Sequence, residues 1–552
     1  MAGKKSELEK LRISYKPKLP EMLKKGIEHV DIKEEGATTA VADTDEIKKH
    51  FPNIFGKPLL HFKEGAGPDK HPLKVGVVLS GGQAPGGHNV IIGIFDYIRE
   101  MHPDSQLLGF LGGPKGIFTN NVRELTKEII DDFRNTGGFD MIYSGRDKIK
   151  TRDDLQACKE VASQLELDAI VVIGGDDSNT NAAVLAEYFV ENGQDTKVIG
   201  VPKTIDGDMK SDIIEISFGF DTCTKVYSEL IGNICRDASS ARKYWHFVKL
   251  MGRSASHVTL ECALQTHPNI ALIGEEVDQK GKTLQQIVEY IAGVVKKRAE
   301  AGKNFGILLV PEGLIEFIPE IRKLIEELNA ILAKHEEYFK TIDLFTDKQE
   351  FINQKLSSDS SHVFSTLPAR IQRQLLLDRD SHGNVKVSQI ETEKLLIEQV
   401  SELLAQWKAE GDYKGKFSTQ SHFFGYEGRC SAPSNFDADY TYSLGATAAV
   451  LIAFGKTGYM AGVSNLTKTP DHWRAVGVPL TSLMNIEMRK GKPEPVIKKA
   501  LVELDGKPFK TFDENREKWE IEEDYVFPGA IQYFGPPEAA DACNLNILLE
   551  RG

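Results

Sequence analysis

Continuous apolar runs alternate with glycine-rich turns and helical segments from Lys74 onward. The run KVGVVLS predicts a buried strand, SGGQAPGGHN a turn and VIIGIFDYIREM a helix. The same order returns in DAIVVI, GGDDS and NTNAAVLAEYFVENG, and TKVIGV leads into the polar loop PKTIDGD. Apolar strands that alternate with helices indicate a parallel sheet covered on both faces. Ligands of such sheets bind at the carboxyl ends of the strands, where each of these turns falls.

A second set of strands is predicted in YWHFVKLMGR, NIALIGEEV and NFGILLVPEG, each ending in a polar turn. From Ile315 the composition shifts to Glu, Lys, Leu and Ile at helical spacing, which indicates a helical insertion over about 315–415. The predicted organisation is α/β and has four parts: an N-terminal extension at 1–72, an α/β domain at 73–217, a second α/β domain with the insertion at 218–488, and a C-terminal segment at 489–552. No chemistry is assigned to the two terminal segments, which are expected to pack between subunits or over the domains.

Composition and charge narrow the class of protein. The chain is 41% hydrophobic and 27% charged, as in ordinary globular proteins. Its net charge of −13 argues against a nucleic-acid or anionic-membrane surface. The six cysteines form no Cys-x-x-Cys pair, which favours a reduced, cytoplasmic location. No stretch reaches the ~18 apolar residues of a membrane-spanning helix, and the N-terminus lacks the apolar segment of a signal peptide.

The turn SGGQAPGGHN, residues 80–89, presents backbone amides at the start of a predicted helix. Such amides, with the helix dipole, bind anions. The turn matches neither the Walker pattern nor the spaced glycines of a dinucleotide site. Taken alone, it is as typical of a plain tight turn as of a ligand site.

The turn GGDDS places a carboxylate where glycines would admit a ligand to the backbone. An aspartate beside phosphates repels them unless a cation intervenes. Asp176 is therefore a candidate ligand, direct or through water, for Mg²⁺. The alternative is a helix cap, a role that Asp177 or Ser178 could also fill.

The loop GVPKTIDGDMK, residues 200–210, sets a lysine, a threonine and two aspartates within six positions. Considered alone, it also fits a solvated turn. Phosphoryl transfer needs charge neutralisation, alignment and a base for the attacking hydroxyl. Lys203 can supply the cation, Thr204 a hydroxyl and Asp206 the base, while Asp208 could share the metal or orient the base. Arg146, in SGRDKI, is a weaker phosphate candidate, because such arginines are more often surface ion-pair partners.

The motifs GGQAPGGHN, GGDDS, PKTIDGD, KLMGR, PEG and GYEGR occur in this order, together with DSHGNVKVSQIETE and FPGAIQYFGP. In these motifs the chain resembles the pyrophosphate-dependent phosphofructokinases of the long-chain clade. The resemblance runs from about Lys74 to the C-terminal region and implies two Rossmann-like α/β domains. It also implies reversible phosphoryl transfer from pyrophosphate to the 1-hydroxyl of fructose 6-phosphate, in glycolysis and gluconeogenesis.

Asp177 and Lys203 are the positions that indicate which phosphoryl donor is expected. ATP-using relatives carry glycine at both corresponding positions. The resemblance implies that the Asp177 carboxylate occupies the space of a nucleotide's α-phosphate and repels it. At about 4 Å and an effective dielectric of about 20, a like-charge pair costs on the order of 4 kcal/mol. It implies further that Lys203, the amides around Gly82 and Mg²⁺ at Asp176 hold pyrophosphate, with Arg146 as a further contact.

The acceptor site is also implied by the resemblance. The residues expected to contact fructose 6-phosphate are Thr204, Ile205, Asp206, Met251, Gly252, Arg253, Glu312, Tyr426, Glu427, Gly428 and Arg429. Lys243 and Tyr244 resemble positions that reach in from a neighbouring subunit, which implies at least a homodimer with shared active sites. HFFGYEGRC stands where ATP-dependent enzymes carry a Gly-His-x-Gln-Arg-Gly-type turn, and it resembles the long-clade form. The alternatives are an ATP-dependent phosphofructokinase and a non-catalytic regulatory subunit of such an enzyme.

Overall fold

The computed structural model describes residues 5–377, 385–489, 492–531, 537 and 541–552. Within these residues the chain divides into two compact units. The first unit comprises Met1–Val226, Tyr426–Ala500 and Ile531–Gly552, and the second comprises Tyr227–Gly425 and Leu501–Ala530. Each unit is thus discontinuous in sequence, whereas the predicted domains are consecutive segments. Residues 380–384 and 532–536, which belong to two of the motifs above, lie outside the described residues.

A mixed sheet forms the core of the first unit and contains nine strands over the described residues. In spatial order the strands are Val30–Ala37, Pro58–Glu64, Arg474–Pro479, Tyr459–Ser464, Lys197–Pro202, Ala169–Gly174, Lys74–Leu79, Gln106–Phe110 and Val122–Glu124. The pairings from Tyr459–Ser464 to Gln106–Phe110 are parallel, and the strands outside them pair antiparallel. The predicted parallel sheet is confirmed, and two strands of the N-terminal extension lie at one edge of it.

Helices cover this sheet because the central strands are apolar on both faces. Those of the first unit are Glu7–Ile13, Glu21–Lys24, Thr44–His50, Gly87–Met101, Lys115–Phe118, Lys127–Phe133, Arg152–Gln164, Asp176–Glu191, Tyr426–Cys430, Asn435–Ala453 and Leu545–Arg551. Phe220–Ala241 is one continuous helix that contains the boundary of the units at residue 226. A separate antiparallel hairpin, Met484–Arg489 with Lys492–Ile497, also belongs to the first unit.

The second unit contains a parallel sheet, with four strands in the described part of the chain. Their order is Thr419–Phe424, Tyr244–Leu250, Phe305–Pro311 and Ile270–Ala271. The helices are His257–Thr266, Gly274–Gln279, Leu284–Glu300, Leu314–Phe317, Pro319–Lys334, Glu336–Thr341, Phe345–Asn353, Ser358–Thr366, Ala369–Leu377, Thr392–Glu410 and Lys507–Ile521. Trp245, Phe247 and Leu308 of the sheet are buried against Ile287 and Ile291 of the helix Leu284–Glu300.

The segment NIALIGEEV differs from its predicted form. Only Ile270–Ala271 is a strand, and a helix begins at Gly274. The Ser256 hydroxyl accepts the Gly274 amide at 2.9 Å, and acidic residues in the first turn favour a helix start. Over the part of the chain that the structure describes, no helix is long and apolar enough to cross a bilayer.

Candidate active site

The three predicted turns follow neighbouring strands of the first unit, namely Lys74–Leu79, Ala169–Gly174 and Lys197–Pro202. These strands are adjacent and parallel, so their carboxyl ends lie at one edge of the sheet. The turns are also bonded to one another. The Lys203 amide donates to the Gly174 carbonyl at 3.0 Å, and the Ser178 hydroxyl donates to that of Ser80 at 2.8 Å. The fold therefore brings the predicted donor residues together.

Lys203 lies beneath the first of these turns. Its Nζ donates to the Gly82 carbonyl at 2.8 Å, and the residue is only 4% exposed. Burial and the neighbouring Arg429 guanidinium lower the pKa of Lys203 to about 7, although Asp206 and Asp176 act in the opposite direction. A bound anion would favour the charged form of this lysine. The position thus suits a phosphate-binding cation.

Arg429 and Arg146 lie beside Gly82. A Cβ built on Gly82 would come 2.7 Å from Arg429 Nη1 and 3.8 Å from Arg146 Nη2, so glycine leaves the room that these guanidinium groups use. Arg429 Nη1 also donates to the Gln83 carbonyl at 3.1 Å. With Lys203, they place three cationic side chains around this turn. Arg429, predicted to bind the sugar, therefore lies among the donor residues.

Asp206 follows Lys203 in a tight turn. The Thr204 hydroxyl accepts the Asp206 amide at 3.1 Å, which fixes the loop. Asp206 Oδ1 lies 3.9 Å from Arg429 Nη2. This oxygen is buried and has no hydrogen-bond partner among the described residues. A buried acceptor in this state favours an incoming hydroxyl group, as a general base requires.

Asp208 is buried in the same loop. Burial, together with the charges of Asp206 and Asp176, raises the pKa of Asp208 to about 7. A divalent cation would relieve the repulsion among these carboxylates. No group of three or more His, Cys, Asp or Glu side chains among the described residues is arranged to hold a metal by itself. A divalent cation beside these carboxylates would need further ligands, such as water or phosphate oxygens.

Asp177 is ionised and paired. Its Oδ2 lies 2.8 Å from Lys148 Nζ, and its Oδ1 lies 2.5 Å from Arg489 Nη1. Burial acts to raise the pKa of Asp177, but Lys148 and Arg489 outweigh it and lower the pKa to about 2. The resemblance implied a carboxylate that occupies the space of a nucleotide's α-phosphate and repels it. The structure shows that the charge of this carboxylate is compensated by neighbouring cations.

The helix Asp176–Glu191 begins directly at the acidic pair. Its N-cap is Gly175, and no side chain makes a capping hydrogen bond there. The alternative that Asp176, Asp177 or Ser178 caps the helix is therefore wrong. Asn179 Nδ2 instead supports the turn from within the helix, donating to the Gly174 carbonyl at 2.6 Å.

Sequence reasoning did not assign Lys148, Arg489 or Lys499 to the site. Besides the contacts of Lys148 and Arg489 with Asp177, Lys499 Nζ lies 3.5 Å and Arg489 Nη2 4.0 Å from Asp176 Oδ2. Arg489 lies in the hairpin, and Lys499 follows it closely in the C-terminal segment, to which no chemistry was assigned. Lys148 stands two positions after Arg146 in SGRDKI, whereas Arg489 and Lys499 reach the acidic pair only through long-range packing, which no local signal could have revealed.

In the second unit, Gly252 and Glu312 are joined by a hydrogen bond. The Gly252 amide donates to Glu312 Oε2 at 3.0 Å, and Gly252 has a φ of 130°, which glycine adopts readily. Glu312 is buried and Arg253 is exposed. The side chains of Met251 and, in the first unit, Ile205 are buried. A ligand would therefore reach the backbone of these two residues rather than their side chains.

Lys243 and Tyr244 lie at the start of the strand Tyr244–Leu250. Lys243 is exposed, with Nζ 5.2 Å from the centre of the Tyr244 ring. Tyr244 has a φ of 73°, a left-handed conformation that costs a non-glycine residue about 1–3 kcal/mol. In the first unit, Tyr426 and Glu427 are exposed at the start of a short helix, whereas Gly428 is buried.

The site combines glycine turns at the ends of parallel strands, a buried lysine and a carboxylate suited to act as a base. These are the parts of a phosphoryl-transfer centre. The family model described as Phosphofructokinase matches residues 74–452. The chain belongs to the phosphofructokinase family.

Relatives called pyrophosphate–fructose 6-phosphate 1-phosphotransferase match nearly the whole chain. The chain is 53% identical over 548 residues to that of Porphyromonas gingivalis, with 99% of each chain covered. It is 54% identical over 556 residues to that of Treponema pallidum, covering 99% of this chain and 97% of the relative. It is 49% identical over 547 residues to that of Entamoeba histolytica, with 99% of each covered.

Solved structures show the same fold. The pyrophosphate-dependent phosphofructokinase from Nitrosospira multiformis matches with a TM-score of 0.55 and 16% identity, covering 86% of this chain and 97% of its own. That from Marinobacter aquaeolei matches with a TM-score of 0.53 and 15% identity, covering 82% and 93%. The predicted phosphofructokinase fold is therefore confirmed.

Proposed function

We propose that this chain transfers a phosphoryl group from pyrophosphate to the 1-hydroxyl of fructose 6-phosphate, giving fructose 1,6-bisphosphate and phosphate. The reaction is reversible and serves glycolysis or gluconeogenesis in the cytoplasm. The observation that carries this proposal is the Lys203 ammonium, bonded to Gly82 inside a phosphate-binding turn and followed by Asp206. Relatives about 50% identical over almost their full length carry the corresponding name, which supports the pyrophosphate donor.

The donor is held by the cationic turn around Gly82. Backbone amides of this turn, Lys203, Arg146 and Arg429 bind its phosphates. Burial, together with repulsion from Asp206 and Asp176, raises the pKa of Asp208, and this crowding of carboxylates fits a magnesium ion with Asp176 as its protein ligand. When bound, magnesium neutralises charge on the phosphate oxygens.

Asp206 acts as the base. Its Oδ1 takes the proton from the sugar 1-hydroxyl while the hydroxyl oxygen bonds to the near phosphorus of pyrophosphate. The bond from that phosphorus to the bridging oxygen breaks, and phosphate leaves with the bonding electrons. Lys203 stabilises the charge on the departing group. Thr204, which accepts the Asp206 amide, keeps the base oriented.

The acceptor residues of the second unit have separate tasks. Glu312, fixed by the Gly252 amide, accepts hydrogen bonds from sugar hydroxyls. Arg253 is exposed and available to a phosphate, with Met251 and Gly252 contributing backbone groups. The remaining acceptor residues of this proposal are Ile205, Tyr426, Glu427 and Gly428, and Arg429, which lies beside both Gly82 and Asp206, contacts the sugar as well as the donor. Lys243 and Tyr244 serve the site of a neighbouring subunit, which makes the enzyme a homodimer or a larger homo-oligomer.

Initial rates with each donor test the proposal. The purified chain is supplied with fructose 6-phosphate, magnesium and either pyrophosphate or ATP, and product formation is followed by a coupled assay. We expect turnover with pyrophosphate and a kcat/KM for ATP lower by on the order of 100-fold or more. Comparable rates with ATP would support the ATP-dependent alternative. Absence of turnover with either donor, while calorimetry shows fructose 6-phosphate binding, would support the non-catalytic subunit.

A further inference from the structure

The compensated charge of Asp177 changes the explanation of donor choice. Pyrophosphate and ATP both carry their negative charge on phosphates, so an unpaired carboxylate would repel both donors. An unpaired charge would therefore weaken the binding of pyrophosphate as well as of a nucleotide. Because Lys148 and Arg489 pair with Asp177, this obstacle to binding a small polyanion is removed.

The same cations fix the position of the carboxylate. Lys148 bonds Oδ2 and Arg489 bonds Oδ1, so each oxygen of Asp177 is held separately. Arg489 is in turn positioned by the hairpin. The Ile497 amide of this hairpin donates to the Thr180 hydroxyl at 3.1 Å, on the helix that Asp176 begins. The Asp177 side chain is therefore held in a fixed position at the start of this helix, where it would obstruct a nucleotide.

We propose that Lys148 and Arg489 are specificity-determining positioning residues, which hold Asp177 so that its volume excludes a nucleotide while its charge is cancelled for pyrophosphate. The inference rests on the proposed function, since it concerns the choice between two phosphoryl donors. It assigns a role to the hairpin Met484–Arg489 with Lys492–Ile497, which carries one of the two cations. Volume, rather than charge, then rejects ATP.

Two substitutions at one position separate volume from charge. Asp177→Asn removes the charge but keeps the volume, and Asp177→Gly removes both. Binding of the magnesium complex of adenosine 5′-(β,γ-imido)triphosphate is measured by calorimetry. We expect Asp177→Gly to bind it at least about tenfold more tightly than Asp177→Asn does. Equal gains in the two variants would show that charge excludes the nucleotide and would overturn the inference.

A double-mutant cycle tests the action of Arg489 through Asp177. Arg489→Ala is expected to raise the KM for pyrophosphate about tenfold, with kcat and the KM for fructose 6-phosphate unchanged. In the Asp177→Asn background, Arg489→Ala should raise the KM for pyrophosphate less than about twofold, because no carboxylate charge remains to be cancelled. Arg489→Lys, which keeps the charge, should recover part of the affinity. Equal effects in both backgrounds would mean that Arg489 binds pyrophosphate directly, and would overturn the inference.

The control is Arg474→Ala, which removes an exposed arginine elsewhere in the first unit. It should leave the KM for pyrophosphate unchanged. The unsubstituted chain is assayed first with both donors. If it uses ATP but not pyrophosphate, the proposed function and the inference both fail. If it uses pyrophosphate and Arg489→Ala leaves every kinetic constant unchanged, only the inference fails.

Discussion

The Lys203 ammonium lies 2.8 Å from the Gly82 carbonyl oxygen, inside the turn that follows the strand Lys74–Leu79. Burial in this turn lowers the pKa of Lys203 to about 7, with a further contribution from Arg429. The lysine is therefore poised between its charged and neutral forms at neutral pH. A bound phosphate favours the charged form, so donor binding and the charge of Lys203 are coupled.

This coupling predicts a pH dependence. The charged form of Lys203 is present below its pKa and is lost as the pH rises. Since kcat/KM reports the free enzyme, we expect kcat/KM for pyrophosphate to fall above about pH 7, by roughly tenfold per pH unit well past the pKa. The kcat profile serves as the internal control, because bound donor should move its alkaline limb to higher pH. A kcat/KM that is flat from pH 6 to 9 would contradict the assigned role.

Asp206→Ala should lower kcat by about 10²–10⁴-fold, since it removes the general base. The KM for fructose 6-phosphate should change little, because the base acts on the proton in the transition state. Asp212→Ala is a matched control, as it removes an exposed carboxylate from the same region of the chain. Its kcat should equal that of the unsubstituted chain. Loss of sugar binding in Asp206→Ala would show that the base assignment is wrong.

Gly82→Ala should lower activity without unfolding the protein. The added Cβ would come 2.7 Å from Arg429 Nη1, the end of a side chain that can move aside. We expect the KM for pyrophosphate to rise about tenfold and Tm to stay within a few degrees. Gly36→Ala is the control, because a Cβ there meets nothing within 4 Å. Equal kinetics in the two variants would refute the close approach to Gly82.

Asp439 provides a test of stability away from the site. It is buried and accepts the Tyr15 hydroxyl at 3.0 Å and the Lys18 amide at 2.7 Å. Burial raises its pKa to about 8, so the folded state holds a proton that the unfolded state releases between about pH 4 and 8. Stability from this group is therefore present at low pH and lost as the pH rises through that window.

Asp439→Asn cannot ionise and should remove this loss. By calorimetry, Tm of the variant should exceed that of the unsubstituted chain by a few degrees at pH 9, and the two should nearly agree at pH 4. A variant whose Tm is lower by the same amount at both pH values would indicate lost hydrogen bonding rather than relief of a buried charge.

The sequence was informative where local pattern determines structure. Lys74–Leu79 and Ala169–Gly174 are strands buried on both faces, and their unbroken apolar runs predicted them. The run around Ile270 was ambiguous, because a short apolar stretch suits a strand or the approach to a helix. In the structure a helix begins at Gly274, whose amide donates a hydrogen bond to the Ser256 hydroxyl.

The residues of the site also differ in how far the sequence could predict them. Lys203 and Asp206 lie in one loop, and together with the glycine turns after the neighbouring strands they suggested phosphoryl transfer. Arg489 lies 312 positions from Asp177 along the chain, and no motif marks it. Whether a carboxylate is isolated or paired depends on such distant partners, and only the folded chain shows them.

The most direct test of the account is a change of donor preference. Asp177→Gly combined with Lys203→Gly removes the obstruction and the cation that replaces nucleotide contacts. The ratio of kcat/KM for ATP to kcat/KM for pyrophosphate should rise by on the order of 100-fold or more relative to the unsubstituted chain. Undetectable ATP use in a double variant that keeps its Tm and its affinity for fructose 6-phosphate would contradict the account.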